Sequence, residues 1–258
     1  MKTALPGCAW RIFSVFLRHK KCYTKHLFAN GFPPFIEPLL FLAAIGFGLG
    51  KYVDTINGVP YSQYIAPGLL ASTAMYTSTF ELTYAAYIRM EFEKIYDAIL
   101  STPIGIKDAF LGEILWAGAK GFFFSSAVLI VITLFGLVKS PFGLLAPFVG
   151  FLTGVSFGSM ALVVTSYVKD INNFNFYITG CCTPMFFLSG IIIPLDQLPE
   201  GLRVLSFFIP LTHCVNLMRE LILGSFHMSG IIDLVWLMLF IPVAVSCAIY
   251  RIRKRLIV

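Results

Sequence analysis

Six long apolar segments fill most of the 258-residue chain, and that pattern leaves almost no soluble architecture open. They run over Pro34–Gly50, Tyr64–Tyr87, Asp108–Leu137, Phe142–Tyr167, Asn175–Ile193 and Gly230–Tyr250. A hydrocarbon core about 30 Å thick takes about 20 helical residues to cross, and each segment meets or nearly meets that length. The expected fold is an all-α integral membrane protein, one domain over 1–258, with six transmembrane helices. A soluble protein of this size would need polar-faced amphipathic helices around its core. With 58% hydrophobic and 12% charged residues, the chain has almost none.

Charge orients the segments. If the connections alternate, one face holds the N-terminus, 88–107, 168–174 and the C-terminus. The other face holds only Lys51, Lys139, Arg203 and Arg219 of the 19 Lys and Arg, and Lys120 lies inside a segment. That asymmetry places both termini in the cytoplasm. The net charge of +6 therefore sits beside membrane spans, where anionic lipid headgroups are the natural partner, and is not a nucleic-acid signal. The basic, acid-free stretch before the first segment has no short apolar region ending in small residues, so no cleavable signal is expected.

Cysteine and histidine indicate no metal. Cys8 and Cys22 face the cytoplasm, Cys181, Cys182 and Cys247 lie in spans, and only Cys214 is placed outward. His19, His26, His213 and His227 read as scattered interfacial singles.

Three segments outside the spans have helical patterns. Over 9–29, Arg11, Arg18, Lys21 and Lys25 fall within an arc of about 80°, opposite Ile12, Phe13, Phe16, Tyr23 and Leu27. Such a helix should lie flat in the headgroup region. Over 89–101, Phe92, Ile95, Tyr96 and Ile99 follow i, i+3, i+4, i+7 and form one apolar stripe, beside Glu91, Glu93, Lys94 and Asp97. The acids favour a protein groove over anionic lipid. Over 194–228, Glu200–Phe208 and Leu211–Leu223 flank Pro210; each is too short to span and too apolar for a free loop. A hairpin re-entering the outer leaflet satisfies both conditions. Gly150, Gly154 and Gly158, four apart, predict close helix packing. Pro67 and Pro184 are placed to kink their spans.

Glu81, Glu113 and Lys120 are the costly residues, since an ionised group at the bilayer centre costs about 2.5–3.5 kcal/mol on insertion scales. At 1.5 Å per residue both acids lie roughly 8–11 Å from the cytoplasmic edge, with Lys120 deeper. The structural reading is a charge cluster tying the second span to the third; the functional one is a proton or ion relay. No catalytic constellation lies on an aqueous loop. No nucleotide loop is present either: around Gly50-Lys51, Ile45 and Tyr52 stand where a P-loop needs Gly and Ser or Thr. If ATP drives this protein, another subunit binds it.

The ordered blocks Tyr64-Ile65-Ala66-Pro67-Gly68-Leu69, Phe80-Glu81, Ser101-Thr102-Pro103 and Gly112-Glu113 are followed by a C-terminal stretch. It runs Phe187-Leu188-Ser189-Gly190-Ile191-Ile192-Ile193-Pro194-Leu195, Leu198-Pro199 and Ile209-Pro210-Leu211-Thr212-His213, with Arg219 and Gly224 after it. Together, from about residue 30 to 228, they resemble the membrane subunits of ABC-2 type exporters, most closely the nodulation-factor permease branch. The resemblance implies six helices per subunit in a bacterial inner membrane, a homodimer or pseudo-dimer, and an ATP-binding cassette ATPase beneath each half. ATP and Mg would be held by that ATPase, with no cofactor on this chain. It further implies that 9–29 is an interface helix and that Phe92, Ile95, Tyr96 and Ile99 belong to the coupling helix. The path would be lined by the first, second and fifth spans, with Tyr177, Phe186 and Phe187 as candidates, and the cargo would be an amphiphile such as a glycolipid, lipo-oligosaccharide or polysaccharide.

Two other classes compete. An ion-gradient-driven transporter or channel would use Glu81, Glu113 and Lys120 and need no Phe92 stripe. An intramembrane enzyme would need converging His, Asp or Glu, and the four histidines do not converge in sequence.

Overall fold

A computed structural model describes residues 7–25, 33–48, 50, 52, 55–56, 58–225 and 227–256. Its helices are α1 (Cys8–Thr24), α2 (Pro33–Phe41), α3 (Tyr61–Phe80), α4 (Ile95–Leu100), α5 (Ile106–Leu134) and α6 (Ala146–Thr165). They continue with α7 (Phe174–Tyr177), α8 (Thr183–Leu188), α9 (Glu200–Phe207), α10 (Pro210–Leu223) and α11 (Met228–Leu256). The core is the layer where α3, α5 and α6 meet; α1 lies on α5, α11 on α6, and α10 closes against α3, α6 and α11. By length and composition, α5, the 141–165 segment and α11 are apolar enough to cross a membrane. The pair α9 and α10, bent by 84°, passes the same test only when taken together.

The glycine expectation is met at the α5–α6 contact. A Cβ on Gly154 would sit 2.7 Å from the Ala117 carbonyl oxygen and 2.9 Å from the Gly118 Cα, and one on Gly121 would collide with the Gly150 carbonyl. Backbones can approach so closely only without side chains, which is how helices gain packing where lipid removes the hydrophobic drive.

Several boundaries differ from the expected ones. The second segment starts at Tyr61 and stays helical to Phe92, through π turns at Glu81–Ala85 and Ile88–Phe92. The first segment continues past Phe41 as a π helix, Leu42–Gly48. The fifth is broken by a π turn at Ile178–Cys182 and ends at Leu188, short of Ile193, with Gly190 at φ 76 turning the chain. Pro184 follows that π turn directly, within a helix that continues through it. The last helix runs past Tyr250 to Leu256. Outside the helices, Thr55–Ile56 and Val59–Pro60 form a small antiparallel ribbon, Thr55 opposite Pro60. Residues 26–29 of the expected interface helix lie outside the described residues, as do His26, Leu27 and Lys51.

The expected 89–101 helix is corrected most. Lys94 adopts φ 51, a left-handed conformation costly for a residue with a Cβ, and splits it in two. Tyr96 turns inward, 1% exposed, with its ring 4.8 Å from that of Phe110. The four apolar residues therefore do not share one open stripe. Burying an aromatic ring against another contributes more than leaving it on a solvent-facing helix.

The 194–228 region is two helices at a sharp bend, held by side chains from its neighbours. Arg219 donates to the Gly190 carbonyl at 2.7 Å, Tyr64 donates to the same oxygen at 2.9 Å, and the guanidinium lies 4.2 Å from the Tyr64 ring centre. His213 sits 2.5 Å from an Asp233 oxygen and stacks 4.3 Å from Trp236. His213 and Cys214, expected at an interface and facing outward, are both buried. A buried polar ring stays only where partners replace its lost water.

Candidate functional site

Two features meet at the C-terminal end of α3: a network of buried ion pairs and an aromatic cavity. In the network, Lys120 Nζ donates to Glu81 Oε2 at 2.8 Å. Arg89 donates to Glu81 Oε1 and to Glu113 Oε2, each at 2.8 Å. His19 Nε2 lies 2.8 Å from Glu113 Oε1. A carboxylate only accepts, so that imidazole nitrogen carries the proton and donates. Arg18 stands 3.6 Å from the same oxygen. Glu81 is 7% and Glu113 0% exposed, so the cations offset what would otherwise be a large desolvation cost.

The expected cluster of Glu81, Glu113 and Lys120 is thus brought together, and Lys120 pairs with Glu81. Two members were missed. Arg89 falls in the predicted cytoplasmic loop, and His19 reads from the sequence as an interfacial single. In a regular α-helix eight residues place Arg89 about 80° round from Glu81. The π turn at Glu81–Ala85 absorbs an extra residue, which brings Arg89 to nearly the same face two turns on. His19 reaches Glu113 because Gly112 admits α1: a Cβ there would lie 2.7 Å from Val15 Cβ and 2.9 Å from the Ile12 carbonyl oxygen.

His19, Glu81 and Glu113 also place one ligand atom each within 4.8 Å of one another, a spacing that suits a metal. Their carboxylate oxygens already accept from Arg89 and Lys120. A divalent ion would have to displace both cations.

The cavity, about 560 Å³, lies between α2, α3, α5 and α8. Phe41, Tyr76, Phe80, Phe124 and Phe186 form its aromatic walls, Ser72, Thr73 and Thr77 supply hydroxyls, and Lys120 stands at its edge. Of the three expected path residues only Phe186 lines it. Phe187 is 54% exposed beside it, and Tyr177 is buried in packing.

On the other side the network touches the 93–104 segment. Tyr96 faces Arg89 and Glu113, and burial raises its phenol above its ordinary range. Phe92 is 69% exposed, with its ring centre 6.1 Å from that of Tyr87, whereas Ile95 and Ile99 are half-buried. Arg255 of α11 braces this region, bonding Glu91 at 2.7 Å and the Val168 carbonyl at 2.7 Å.

What these features define is a helical membrane protein with an aromatic cavity, open to the surface, that adjoins a network of buried charges. A family model described as ABC-2 type transporter matches residues 10–223. The chain is 34% identical to "Nodulation protein J" of Rhizobium meliloti over 97% of this chain and 96% of that protein. It is 35% identical to "Nodulation protein J" of Sinorhizobium fredii over 85% and 84%. To "Inner membrane transport permease YadH" of Escherichia coli it is 25% identical over 74% and 75%. The chain belongs to the ABC-2 type transporter family, and it is a membrane-embedded transport permease.

Proposed function

We propose that this chain is the permease of an exporter driven by a separate ATP-binding cassette subunit, carrying an amphiphile outward from the cytoplasm or the inner leaflet. The observation that carries this reading is the run of ion pairs in which Arg89 bridges Glu113 and Glu81 and Glu81 bonds Lys120, with Tyr96 buried beside one end and the aromatic cavity at the other. Movement imposed on the loop by an ATPase would be felt at the cavity through short, charge-assisted contacts. Aromatic walls with a few hydroxyls suit a ligand that is partly apolar and partly polyhydroxylic, such as a glycolipid, lipo-oligosaccharide or polysaccharide. Two copies of the chain would enclose the path, with ATP and Mg on the partner ATPase. Each acid in the network already has a cation, which leaves the ion-gradient reading without a free carboxylate among them.

Phe92 is the exposed apolar group on the loop, and a few such anchors carry most of the affinity of a helix or loop in a groove. Phe92→Asp combined with Ile95→Asp should detach the co-expressed ATPase during purification in detergent, or uncouple its hydrolysis from export. Full co-purification with normal export would sink the coupling role.

We further propose six spans in the bacterial inner membrane, with both termini cytoplasmic; the Lys and Arg asymmetry supports that orientation. On a cysteine-free background, Asn57→Cys and Gln197→Cys should be labelled by an impermeant maleimide in intact cells. Lys94→Cys should not be; external labelling at 94 overturns the orientation.

A further inference from the structure

A groove of about 620 Å³ opens where α10 wedges between α6 and α11. Hydrogen bonds fix its depth. The Lys139 and Ser140 N–H groups both donate to the Ile222 carbonyl, at 2.9 and 3.1 Å, which ties the end of α10 to the connection between α5 and α6. α5 and the 141–165 segment are each apolar enough to cross a membrane, so the short connection between them lies at a membrane surface. Leu145, Glu220, His227 and Met228 line the groove near that level. Leu152 and Leu234 line it further along α6 and α11, about 10 Å deeper at 1.5 Å per residue. Phe148, Ile231 and Leu234 are wall residues and exposed, so below its mouth the groove opens to hydrocarbon. Walls without polar partners hold no ordered water, and an empty groove would forfeit dispersion contacts. An acyl chain suits both the depth and the walls.

The mouth carries a sign. Glu220 is the one carboxylate on the described walls, and its side chain is 14% exposed. A Cβ on Gly230 would collide with that carboxylate, so the first turn of α11 admits it only because residue 230 is glycine. Ser229 Oγ donates to Glu220 Oε1 at 3.2 Å. His227 Nδ1 stands 3.9 Å from the same oxygen, but its proton goes to the Ser225 carbonyl at 2.9 Å. A carboxylate only accepts, and a cation that brings its own N–H groups complements it best.

We propose that this groove binds one phospholipid with a primary-amine headgroup, its ammonium on Glu220 and an acyl chain running down to Leu152 and Leu234. An anionic headgroup would meet like charge at the mouth, and a soluble amine would leave the apolar walls unfilled. The charged end lies at the membrane surface and the chain below it, the order that a bilayer imposes. The site requires only that the chain be embedded in a membrane, so it stands apart from the transport reading.

The full-length protein is placed in phosphatidylcholine nanodiscs containing a small fraction of phosphatidylethanolamine or phosphatidylglycerol, each with the same diazirine-tagged acyl chain. After illumination, cross-linked peptides are mapped by mass spectrometry. The ethanolamine probe should label 145–152 and 228–234 about five-fold more than the glycerol probe, the upper end for one ion pair at a partly exposed site. Met238, Leu239 and Val243, exposed on α11 away from the mouth, should be labelled equally by both. Glu220→Gln should make the two probes equal at the groove as well. Equal labelling of the groove in the parent, the same preference at Met238, Leu239 and Val243, or a preference that survives Glu220→Gln overturns the proposal. If Glu220→Gln does not fold, the parent is labelled with an N-acetylated ethanolamine probe, which has lost its ammonium. Labelling of the groove should then fall to the level of the glycerol probe, and unchanged labelling overturns the site.

Discussion

Replacing Arg89 with methionine should lower the stability of the detergent-solubilised protein by about 3–5 kcal/mol, the loss expected when one partner leaves a buried pair. Among the described residues Arg89 bridges both acids, at 2.8 Å to each. Without it Glu113, fully buried, keeps as cationic or imidazole partners His19 and the more distant Arg18 among the described residues. Methionine matches much of the side-chain volume, so the loss reports charge more than packing. Lys120→Met should cost less, because Glu81 still has Arg89. Adding Glu113→Gln to Arg89→Met should recover part of the loss, since the stranded charge is then gone. Thermal unfolding of the single and double variants in one detergent measures this. An Arg89→Met protein that melts like its parent would mean that water reaches the network and screens it.

The second large effect is steric. Gly154→Ala should cost about 3 kcal/mol, the top of the usual range for overpacking, and Gly154→Val more. The added carbon would press on the backbone of residues 117 and 118, which cannot rotate away as a side chain can. Gly180→Ala is the control, since a Cβ there meets nothing within 4 Å. Equal melting temperatures for Gly154→Ala and Gly180→Ala would show that α5 and α6 separate without penalty.

Much of the C-terminal resemblance block turns out to be anchoring. Gly190 supplies a positive-φ turn and the carbonyl that Arg219 and Tyr64 share. Gly224, at φ 76, ends α10 in the left-handed conformation that glycine adopts without strain. His213 ties the bend to Asp233 and to the Phe207 carbonyl. These residues hold a bent helix pair against α3 and α11.

Composition, apolar run length and the placement of Lys and Arg are one-dimensional properties, and they sufficed for a helical membrane protein and its expected orientation. The glycines of α6 were legible for the same reason: a four-residue repeat maps directly onto one helix face. The pairing of Glu81 with Lys120 was half-legible, because intramembrane charges must find partners but their spacing does not say which. Arg89, His19 and Tyr96 were not legible. A π turn changes which residues share a face without leaving a sequence signature, and Lys94 breaks a stripe whose periodicity looked unbroken. His19 reaches Glu113 across 94 positions only because α1 folds onto Gly112. Local periodicity is written residue by residue along the chain. Which buried charge meets which depends on how whole helices dock, and that is settled by the summed packing of distant segments.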